Sequence, residues 1–388
     1  MIVALVIAQG IALIVLILRL LPGRTRRAAV EPCEEGMTDT TVSVIVATLN
    51  EALRIGPCLA GLRAQGEPLT EVLVVDSRST DGTRELVAAA ATLDARVQLL
   101  TDDPLPDGWV GKVWALEHGL RAARGEWVLG IDADTDPVPG MVAGVVRAAR
   151  ESSYSVVSFS PRFAAQTVGE QFIQPALLLT LVYRGGAVGS DSDPERVLAN
   201  GQCFLARRDV LLRHGGYAPA RTSFADDVTL ARHLARSGER VGFLDGSRLY
   251  TVRSYASVGE MWREWGRSLD LKNATSPWRQ WLDVAFLVAV QGVPLLVLAV
   301  LGILAASLVW TRELRALASI NAALLTIHLL LLLPLSRSYE RPGMAFWLSW
   351  LADPVAVLRI VMSTLQRRRR WRGRDYGTAM GGPQRRRG

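Results

Sequence analysis

The stretch TVSVIVATLNEALRIGPCLAGLRAQGEPLTEVLVVDS, residues 41–77, decides the fold of this chain. It begins with a β-branched apolar run, continues with apolar residues at helical spacing from Ile55 to about Gln65, and ends with a second apolar run that stops at Asp76. Two apolar strands joined by a helix form a βαβ unit, whose parallel strands are buried on both faces. The stretch therefore predicts the α/β class with a largely parallel sheet.

The same alternation continues along the chain. Helix patterns at 84–91 and 112–123 precede the strands VQLL (97–100) and EWVLGIDAD (126–134), and further strands and helices follow at 153–163, 199–217 and 226–246. Ligands of open parallel sheets bind beyond the carboxyl ends of the strands. Glu51, Asp76 and Asp132 stand at three such ends, so we expect them to line one crevice.

An apolar segment precedes this region. Residues 1–21 are uncharged until Arg19, and about 20 apolar residues suffice to cross a bilayer. A cleaved signal peptide is the alternative, but its charged start and small-residue cleavage site are missing. We predict an uncleaved anchor at 1–22, a polar linker at 23–40, a catalytic domain at 41–255 and an interfacial segment at 256–283.

Three more apolar stretches follow at 284–310, 316–335 and 344–365. The first two are predicted to span a membrane, whereas Asp353 and Pro354 make the third re-entrant or interfacial. The segment 172–183 is too short to span and is either interfacial or a buried core helix. The membrane helices are thus predicted at 284–366, before a basic tail at 367–388.

The net charge of +7 lies largely in that tail and beside the first anchor. This placement favours anionic lipid headgroups over nucleic acid and orients both basic segments, and the catalytic domain, toward the cytoplasm. The three cysteines have no paired spacing and the four histidines form no HExxH pattern, which argues against a disulfide scaffold and a zinc site.

The segment GIDADTDP, residues 130–137, contains two carboxylates for a metal. Asp132 and Asp134 offer the hard oxygen ligands that Mg²⁺ or Mn²⁺ prefers, and a cation there would neutralise charge on the phosphates of a leaving nucleotide. A calcium loop is excluded because Pro137 replaces the required glycine and Ala143 the closing glutamate.

Four residues are candidates for binding the nucleotide sugar: Glu51, Asp76, Lys112 and Asp132. Asp76, delivered by a strand into the turn VVDSRSTDGT, is predicted to accept hydrogen bonds from a base or ribose. Lys112 is predicted to meet a diphosphate, with an ordinary solvated lysine as the alternative.

Asp227 is the candidate general base, with Asp226 beside it at the start of a predicted helix. A hydroxyl acceptor must lose its proton as the bond to the sugar forms, and direct displacement inverts the anomeric carbon. Helix capping is the alternative role for both carboxylates. Four residues on the acceptor side have two alternative roles. Their aromatic rings could stack on sugar and their cations contact phosphate, or the residues could anchor the chain at the membrane interface. The residues concerned are Trp262, Arg263, Trp265 and Arg267.

These motifs, in this order, resemble membrane-bound family 2 glycosyltransferases over roughly residues 40–270. The matching elements are ATLNE (47–51), VVDSRSTDGT (74–83), GKVWALEHGLRAARGEWVLGIDAD (111–134), NGQCFLARRDVLLRHGGY (200–217) and FADDVTLARHLARSG (224–238). The resemblance implies a GT-A fold with a Rossmann-like mixed sheet, a base at Asp227, and Asp226 where glutamate is usual. The membrane layout and WRGRDY (371–376) resemble the branch of ceramide glucosyltransferases and carotenoid- and hopanoid-associated enzymes.

One signature of that branch is altered. Q-x-x-R-W is represented only by MWREW, residues 261–265, with Met261 for glutamine and Glu264 for arginine. Arg263 or Arg267 is expected to substitute, or the acceptor is bound differently. The altered motif and the few C-terminal spans argue against a polysaccharide synthase.

The sequence therefore predicts an inverting, metal-dependent hexosyltransferase in the cytoplasmic membrane. Its donor is a nucleotide-diphosphate sugar, and its acceptor is the hydroxyl of a carotenoid, hopanoid, sphingolipid or diacylglycerol type of lipid. Transfer to polyprenyl phosphate is one alternative, and a non-catalytic membrane scaffold with a nucleotide-sugar-binding fold is the other.

Overall fold

The computed structural model describes residues 2–102, 104–190, 193–253, 255, 257–268, 271, 273–307, 309–366, 370–371 and 374–375. Within these, only the backbone is described at 266–268, 370–371 and 374–375. The strands are β1 Val42–Thr48, β2 Leu69–Asp76, β3 Val97–Thr101, β4 Trp127–Asp132, β5 Thr135–Pro137, β6 Val156–Ser160, β7 Arg162–Phe163, β8 Cys203–Arg207, β9 Val241–Asp245, β10 Tyr250–Val252, β11 Arg370–Trp371 and β12 Arg374–Asp375.

The α-helices belong to the catalytic domain, to the apolar segments at both ends, or to the junction between them. They are α1 Ile2–Leu20, α2 Ile55–Arg63, α3 Thr83–Leu93, α4 Gly111–Ala122, α5 Met141–Glu151, α6 Val168–Gly185, α7 Arg208–Arg213, α8 Asp226–Arg236, α9 Val258–Ser268, α10 Pro277–Leu287, α11 Pro294–Leu304, α12 Arg312–Ser336, α13 Met344–Trp347 and α14 Asp353–Leu365.

Seven strands form the main sheet, in the order β3-β2-β1-β4-β8-β6-β9. All neighbours are parallel except β8, which is antiparallel to β4 and β6. One apolar cluster packs α2, α3 and α5 on one face, and another packs α4, α7 and α8 on the other. The predicted mixed α/β sheet is confirmed, and the carboxyl ends of β1, β2 and β4 meet at one edge.

Three helical segments of the described chain are long and apolar enough to cross a membrane. They are Ile2–Thr25, Pro277–Leu304 and Arg312–Ser336. The second begins seven residues before the predicted start at 284, because Pro277 favours the first turn of a helix. A π-helical turn, Val288–Gly292, joins α10 to α11 within it.

One end of each segment contacts the catalytic domain or α6. Arg19 near the end of α1 donates to the carbonyl of Tyr183 at 3.1 Å. Arg279 in the first turn of α10 lies 2.6 Å from Glu195. Just beyond α12, the carbonyl of Ser338 accepts from the amide of Phe163 at 2.7 Å. These three segments pack with α6 and α14 into a helical bundle, and the catalytic domain lies at one end of it.

The remaining apolar stretches do not form long exposed helices. The 172–183 segment belongs to α6, which packs in an apolar cluster with α1, α12 and α14, so it is the buried helix of the two alternatives. The 344–365 stretch is divided, as expected, where α14 begins at Asp353 with Pro354 in its first turn. Neither α13 nor α14 is long enough to span.

Buried polar side chains join the helices of the bundle. Gln291 in the π-helical turn donates to Asp353 at 2.7 Å and to the carbonyl of Ala176 at 2.8 Å, and His328 of α12 lies 2.8 Å from Asp353. Gln9 of α1 and Asn321 of α12 exchange two amide hydrogen bonds of 2.9 Å. These contacts provide partners for polar groups that hydrocarbon could not solvate.

Candidate functional site

The loops after β1 and β2 are joined by side-chain hydrogen bonds. The amide of Asn50 donates to Ser79 Oγ at 2.8 Å, and the side-chain oxygen of Asn50 accepts from the amide of Thr80 at 2.9 Å. The amide of Glu51 donates to Thr83 Oγ1 at 2.8 Å. The two strand ends therefore form one rim of the crevice.

Asp76 lies beneath this rim. Its side chain is fully buried, and its Oδ2 accepts from the amide of Ser79 at 3.0 Å and from Arg84 at 3.1 Å. Through these contacts, Asp76 stabilises the turn after β2. Its predicted contact with a base or ribose stays a prediction.

Asp132 and Asp134 occupy the turn between β4 and β5. Thr135 Oγ1 donates to the carbonyl of Asp132 at 2.8 Å, which fixes the turn, and Gly61 lets α2 approach β5 because a Cβ at Gly61 would overlap Pro137. Within the described residues, no group of three or more His, Cys, Asp or Glu side chains is arranged to hold a metal ion by itself. The protein thus offers a carboxylate pair, which suits a cation whose other ligands are phosphate oxygens and water.

Lys112, in the first turn of α4, points to this turn. Its Nζ lies 2.5 Å from Asp132 Oδ1, and its side chain is 20% exposed, so the solvated-lysine alternative does not describe it. Although burial opposes the charged form, the carboxylates of Asp132, Asp226 and Asp227 raise the pKa of Lys112 above its ordinary value. Lys112 therefore lies between the β4–β5 turn and the start of α8.

Asp227 faces Lys112 from the first turn of α8. Its Oδ2 accepts from the amide of Gly201 at 2.7 Å and its Oδ1 from the amide of Val228 at 2.8 Å. A Cβ at Gly201 would lie 3.1 Å from Lys112 Nζ and 3.6 Å from Asp227 Oδ2, so a glycine permits this approach. Burial and the neighbouring charge of Asp226 raise the pKa of Asp227 to about 7, against the effect of Lys112.

Arg54 is a site residue that sequence reasoning missed. It follows Glu51 in the loop after β1, and its Nη2 lies 2.8 Å from Oε1 of Glu260 in α9. Against the effect of burial, Glu260, Glu51 and Asp134 raise the pKa of Arg54. The position of Arg54 three residues after Glu51 could have indicated that Arg54 lies near the crevice. The sequence contains no pattern that predicts its contact with Glu260.

The acceptor-side residues are only partly in the expected position. Trp265 is 7% exposed within the apolar cluster of α6 and α14, with its ring 6.5 Å from that of Tyr255, so it packs the interior and offers no open face to a sugar. Arg263 is exposed, and the ring of Trp262 lies 5.3 Å from the buried guanidinium of Arg359. The side chain of Arg267 lies outside the described residues.

Comparison with known proteins agrees with this geometry. The family model described as Glycosyl transferase family 2 matches residues 43–214, which include the loops after β1, β2 and β4 and the amide of Gly201. The match ends at residue 214, before the carboxylates Asp226 and Asp227 of α8.

Two relatives and one solved structure extend the comparison. The succinoglycan biosynthesis protein ExoA of Rhizobium meliloti is 29% identical over 59% of this chain and 68% of its own length. The 4,4'-diaponeurosporenoate glycosyltransferase of Staphylococcus haemolyticus is 23% identical over 66% of this chain and 68% of its own. The mannosyltransferase PcManGT from Pyrobaculum calidifontis, solved with GDP-Man and Mn²⁺, shares the fold, with a TM-score of 0.54 and 20% identity over 94% of this chain and 99% of that one.

Proposed function

Since this chain is a family 2 glycosyltransferase of GT-A fold, we propose that it moves a sugar from a nucleotide-diphosphate donor to the hydroxyl of a membrane lipid, with inversion. The observation that carries the proposal is the approach of Asp132, Lys112 and Asp227. It brings carboxylates from two distant parts of the chain to one cationic side chain at the sheet edge.

The donor side is the edge formed by β1, β2 and β4. In this proposal Glu51 and Asp76 hold the nucleoside end, and Lys112 meets the diphosphate as negative charge develops on the leaving group. Asp132 and Asp134 would hold a divalent cation, Mg²⁺ or Mn²⁺, which supplies neutralisation of the same charge. Lys112 exchanges part of its contact with Asp132 for the phosphates when the donor binds.

The acceptor side is the start of α8. The acceptor oxygen forms a bond to the anomeric carbon as the bond from that carbon to the phosphate oxygen breaks, and Asp227 takes the hydroxyl proton. A pKa of about 7 leaves Asp227 substantially ionised at neutral pH while keeping it basic enough to accept the proton. The amides of Gly201 and Val228 hold its carboxylate in place.

The lipid acceptor is proposed from the position of the bundle. All three candidate spans have one end at the catalytic domain or α6, so a lipid hydroxyl can approach from the membrane surface. The relative named for a carotenoid acid, diaponeurosporenoate, supports a lipid acceptor. We place the catalytic domain on the cytoplasmic side, where nucleotide sugars and the basic flanks of the spans belong.

The test is mass spectrometry of membrane lipids from cells that make wild-type protein or Asp227→Asn. We expect a new hexosylated lipid with wild-type protein only, because removing a general base lowers turnover by about 10²- to 10⁴-fold. Asp209→Asn, at an exposed carboxylate on α7, is the matched control and should leave the product unchanged.

Two further measurements decide between the alternatives. Donor binding by purified Asp227→Asn should match that of wild-type protein, and a chelator should abolish transfer until Mg²⁺ or Mn²⁺ is restored. Near-normal turnover of Asp227→Asn would contradict the hydroxyl acceptor and favour polyprenyl phosphate, which is already anionic. Absence of transfer and of donor hydrolysis across a donor panel would favour a non-catalytic scaffold.

A further inference from the structure

Both carboxylate oxygens of Asp76 are occupied by neighbours within the protein. Its Oδ1 lies 3.3 Å from Thr48 Oγ1. Its Oδ2 accepts from the amide of Ser79 at 3.0 Å and from Arg84 Nη1 at 3.1 Å. The side chain of Asp76 is 0% exposed, so a direct contact with a base or ribose would require these hydrogen bonds to open. Asp76 can serve the nucleoside end of the crevice more simply through one of its partners.

Arg84, in the first turn of α3, is a partner of Asp76 whose side chain reaches solvent. That side chain is 40% exposed. Its Nη1 also lies 3.5 Å from Thr101 Oγ1, and Asp76 and Thr101 are opposite each other at the ends of β2 and β3. The guanidinium of Arg84 therefore lies over the carboxyl ends of these two strands.

The loops after β2 and β3 are fixed by further hydrogen bonds. Ser77 Oγ donates to Asp102 Oδ2 at 2.7 Å, and both residues are 4% exposed. The indole Nε1 of Trp114 in α4 donates to the carbonyl of Asp102 at 2.6 Å. Arg84 is thus held by a buried carboxylate beside loops that are already ordered. A donor prepared in this way loses little freedom when it binds a ligand, which favours affinity.

The chemistry of a guanidinium restricts what Arg84 can bind. It carries five N–H donors and no acceptor, and both described hydrogen bonds of the Arg84 side chain use Nη1. Uracil and guanine present a carbonyl oxygen, O4 or O6, at the position where cytosine and adenine present an amino group. An arginine at the nucleoside end of the crevice therefore favours a keto base over an amino base.

We propose that Arg84 determines the choice of nucleobase, by donating hydrogen bonds to O4 of uracil or O6 of guanine in the donor. This inference rests on the proposed function, because it assumes a nucleotide-diphosphate donor. Only β1 separates β2 from β4, so the end of β2 lies about 10 Å from the turn that carries Asp132. That spacing suits a diphosphate at one end and a base at the other. Asp76 is then a positioning residue, which holds Arg84 and does not touch the base.

The test is calorimetric titration of the full-length protein in detergent with nucleoside diphosphates and Mn²⁺. UDP is compared with CDP, and GDP with ADP, because the members of each pair have the same ring size and differ at the keto or amino group. We expect wild-type protein to bind the keto member of at least one pair at least about fivefold more tightly than its amino partner. Arg84→Gln should lose this preference, since glutamine offers an acceptor as well as a donor.

Arg147→Gln is the matched control. Arg147 has a similar exposure of 39% and also faces a carboxylate, that of Glu151 on α5, and its substitution should leave the preference unchanged. An unchanged preference in Arg84→Gln would overturn this inference and leave the donor class intact. Failure of all four nucleotides to bind wild-type protein would instead overturn the proposed function, and this inference with it.

Nucleotide analogues test the same contact in wild-type protein, in case the variants do not fold. Removal of O4 from UDP gives the pyrimidin-2-one riboside diphosphate, and removal of O6 from GDP gives the 2-aminopurine riboside diphosphate. The analogue of the preferred nucleotide should bind at least about fivefold more weakly than its parent, because the Arg84 contact is lost. Equal affinity of analogue and parent would overturn the inference.

The positioning role of Asp76 has its own readout. Asp76→Asn should remove the preference for the keto base, and it should remove nothing further when Arg84 is already glutamine, because both changes act on one contact. A loss of nucleotide selectivity that is additive in the double variant would overturn the positioning role and assign Asp76 a contact of its own.

Discussion

Asp227 is held between charges of opposite sign. Burial, and after it the charge of the preceding residue Asp226, disfavour the ionised carboxylate and raise its pKa, whereas Lys112 favours the ionised form. With the resulting pKa of about 7, about half of the carboxylate is ionised at neutral pH, and the ionised form is basic enough to accept a proton. In the proposed mechanism, the basicity of Asp227 therefore depends on two neighbours, Asp226 and Lys112, that do not themselves take the proton.

This arrangement predicts the pH dependence of transfer. The base form of Asp227 is the ionised one, so kcat/KM should rise with pH and level off above about 7. Asp226→Asn removes the charge that raises this pKa and should move the rise to lower pH. Lys112→Gln removes the charge that lowers it and should move the rise to higher pH, in addition to weakening donor use. Rates measured across pH with vesicle-bound enzyme provide the check, and identical midpoints in the three proteins would contradict the assignment.

The helix α9 links the helical bundle to the crevice. Its first turn carries Glu260, paired with Arg54 beside the donor edge, and the carbonyl of its Trp262 accepts from the buried Arg359 of α14 at 2.8 Å. Side-chain exposures of 30% for Arg54 and 24% for Glu260 make this ion pair worth less than about 1 kcal/mol. Its effect should therefore appear in local opening more than in overall stability.

Glu260→Gln tests that expectation. The substitution should increase hydrogen exchange in the first turns of α9 and raise the KM for the donor a few-fold, with little change in the unfolding midpoint. Exchanging the charges, Arg54→Glu with Glu260→Arg, should restore the exchange rates of α9. Unchanged exchange in Glu260→Gln would show that α9 is held by Arg359 and apolar packing alone.

The elements of the sheet were predictable because their apolar runs are strong and each ends in a polar turn. The strand ends at Asp76 and Asp132 and the helix start at Asp226 lie where the patterns put them. The position of Trp265 was not predictable. An aromatic residue in a basic segment gives the same sequence pattern whether its ring faces a sugar or packs against a helix. The Arg54–Glu260 pair was equally hidden, because it joins residues more than 200 positions apart.

At the scale of the whole molecule, the catalytic domain is an insertion between the two parts of one helical bundle. The amide pair Gln9–Asn321 joins α1 to α12, and both residues are fully buried. Gln9→Leu leaves the Asn321 amide without this partner and should lower the free energy of unfolding by about 1 kcal/mol, within the range measured for such bonds in membrane bundles.

The double variant Gln9→Leu with Asn321→Leu separates hydrogen bonding from packing. It should recover much of that loss, because replacing both partners by apolar groups leaves no unsatisfied amide. Unfolding of the purified protein in mild detergent gives the comparison. A double variant that is as unstable as the sum of its single changes would show that the two amides act independently.

The two amides are 312 residues apart along the chain, and this separation determines the order in which they are synthesised. When α1 emerges from the ribosome, its partner α12 has not yet been translated. The contact between Gln9 and Asn321 can therefore form only after the catalytic domain has been synthesised. Release of the chain before α12 would leave the Gln9 side chain without its hydrogen bonds to Asn321.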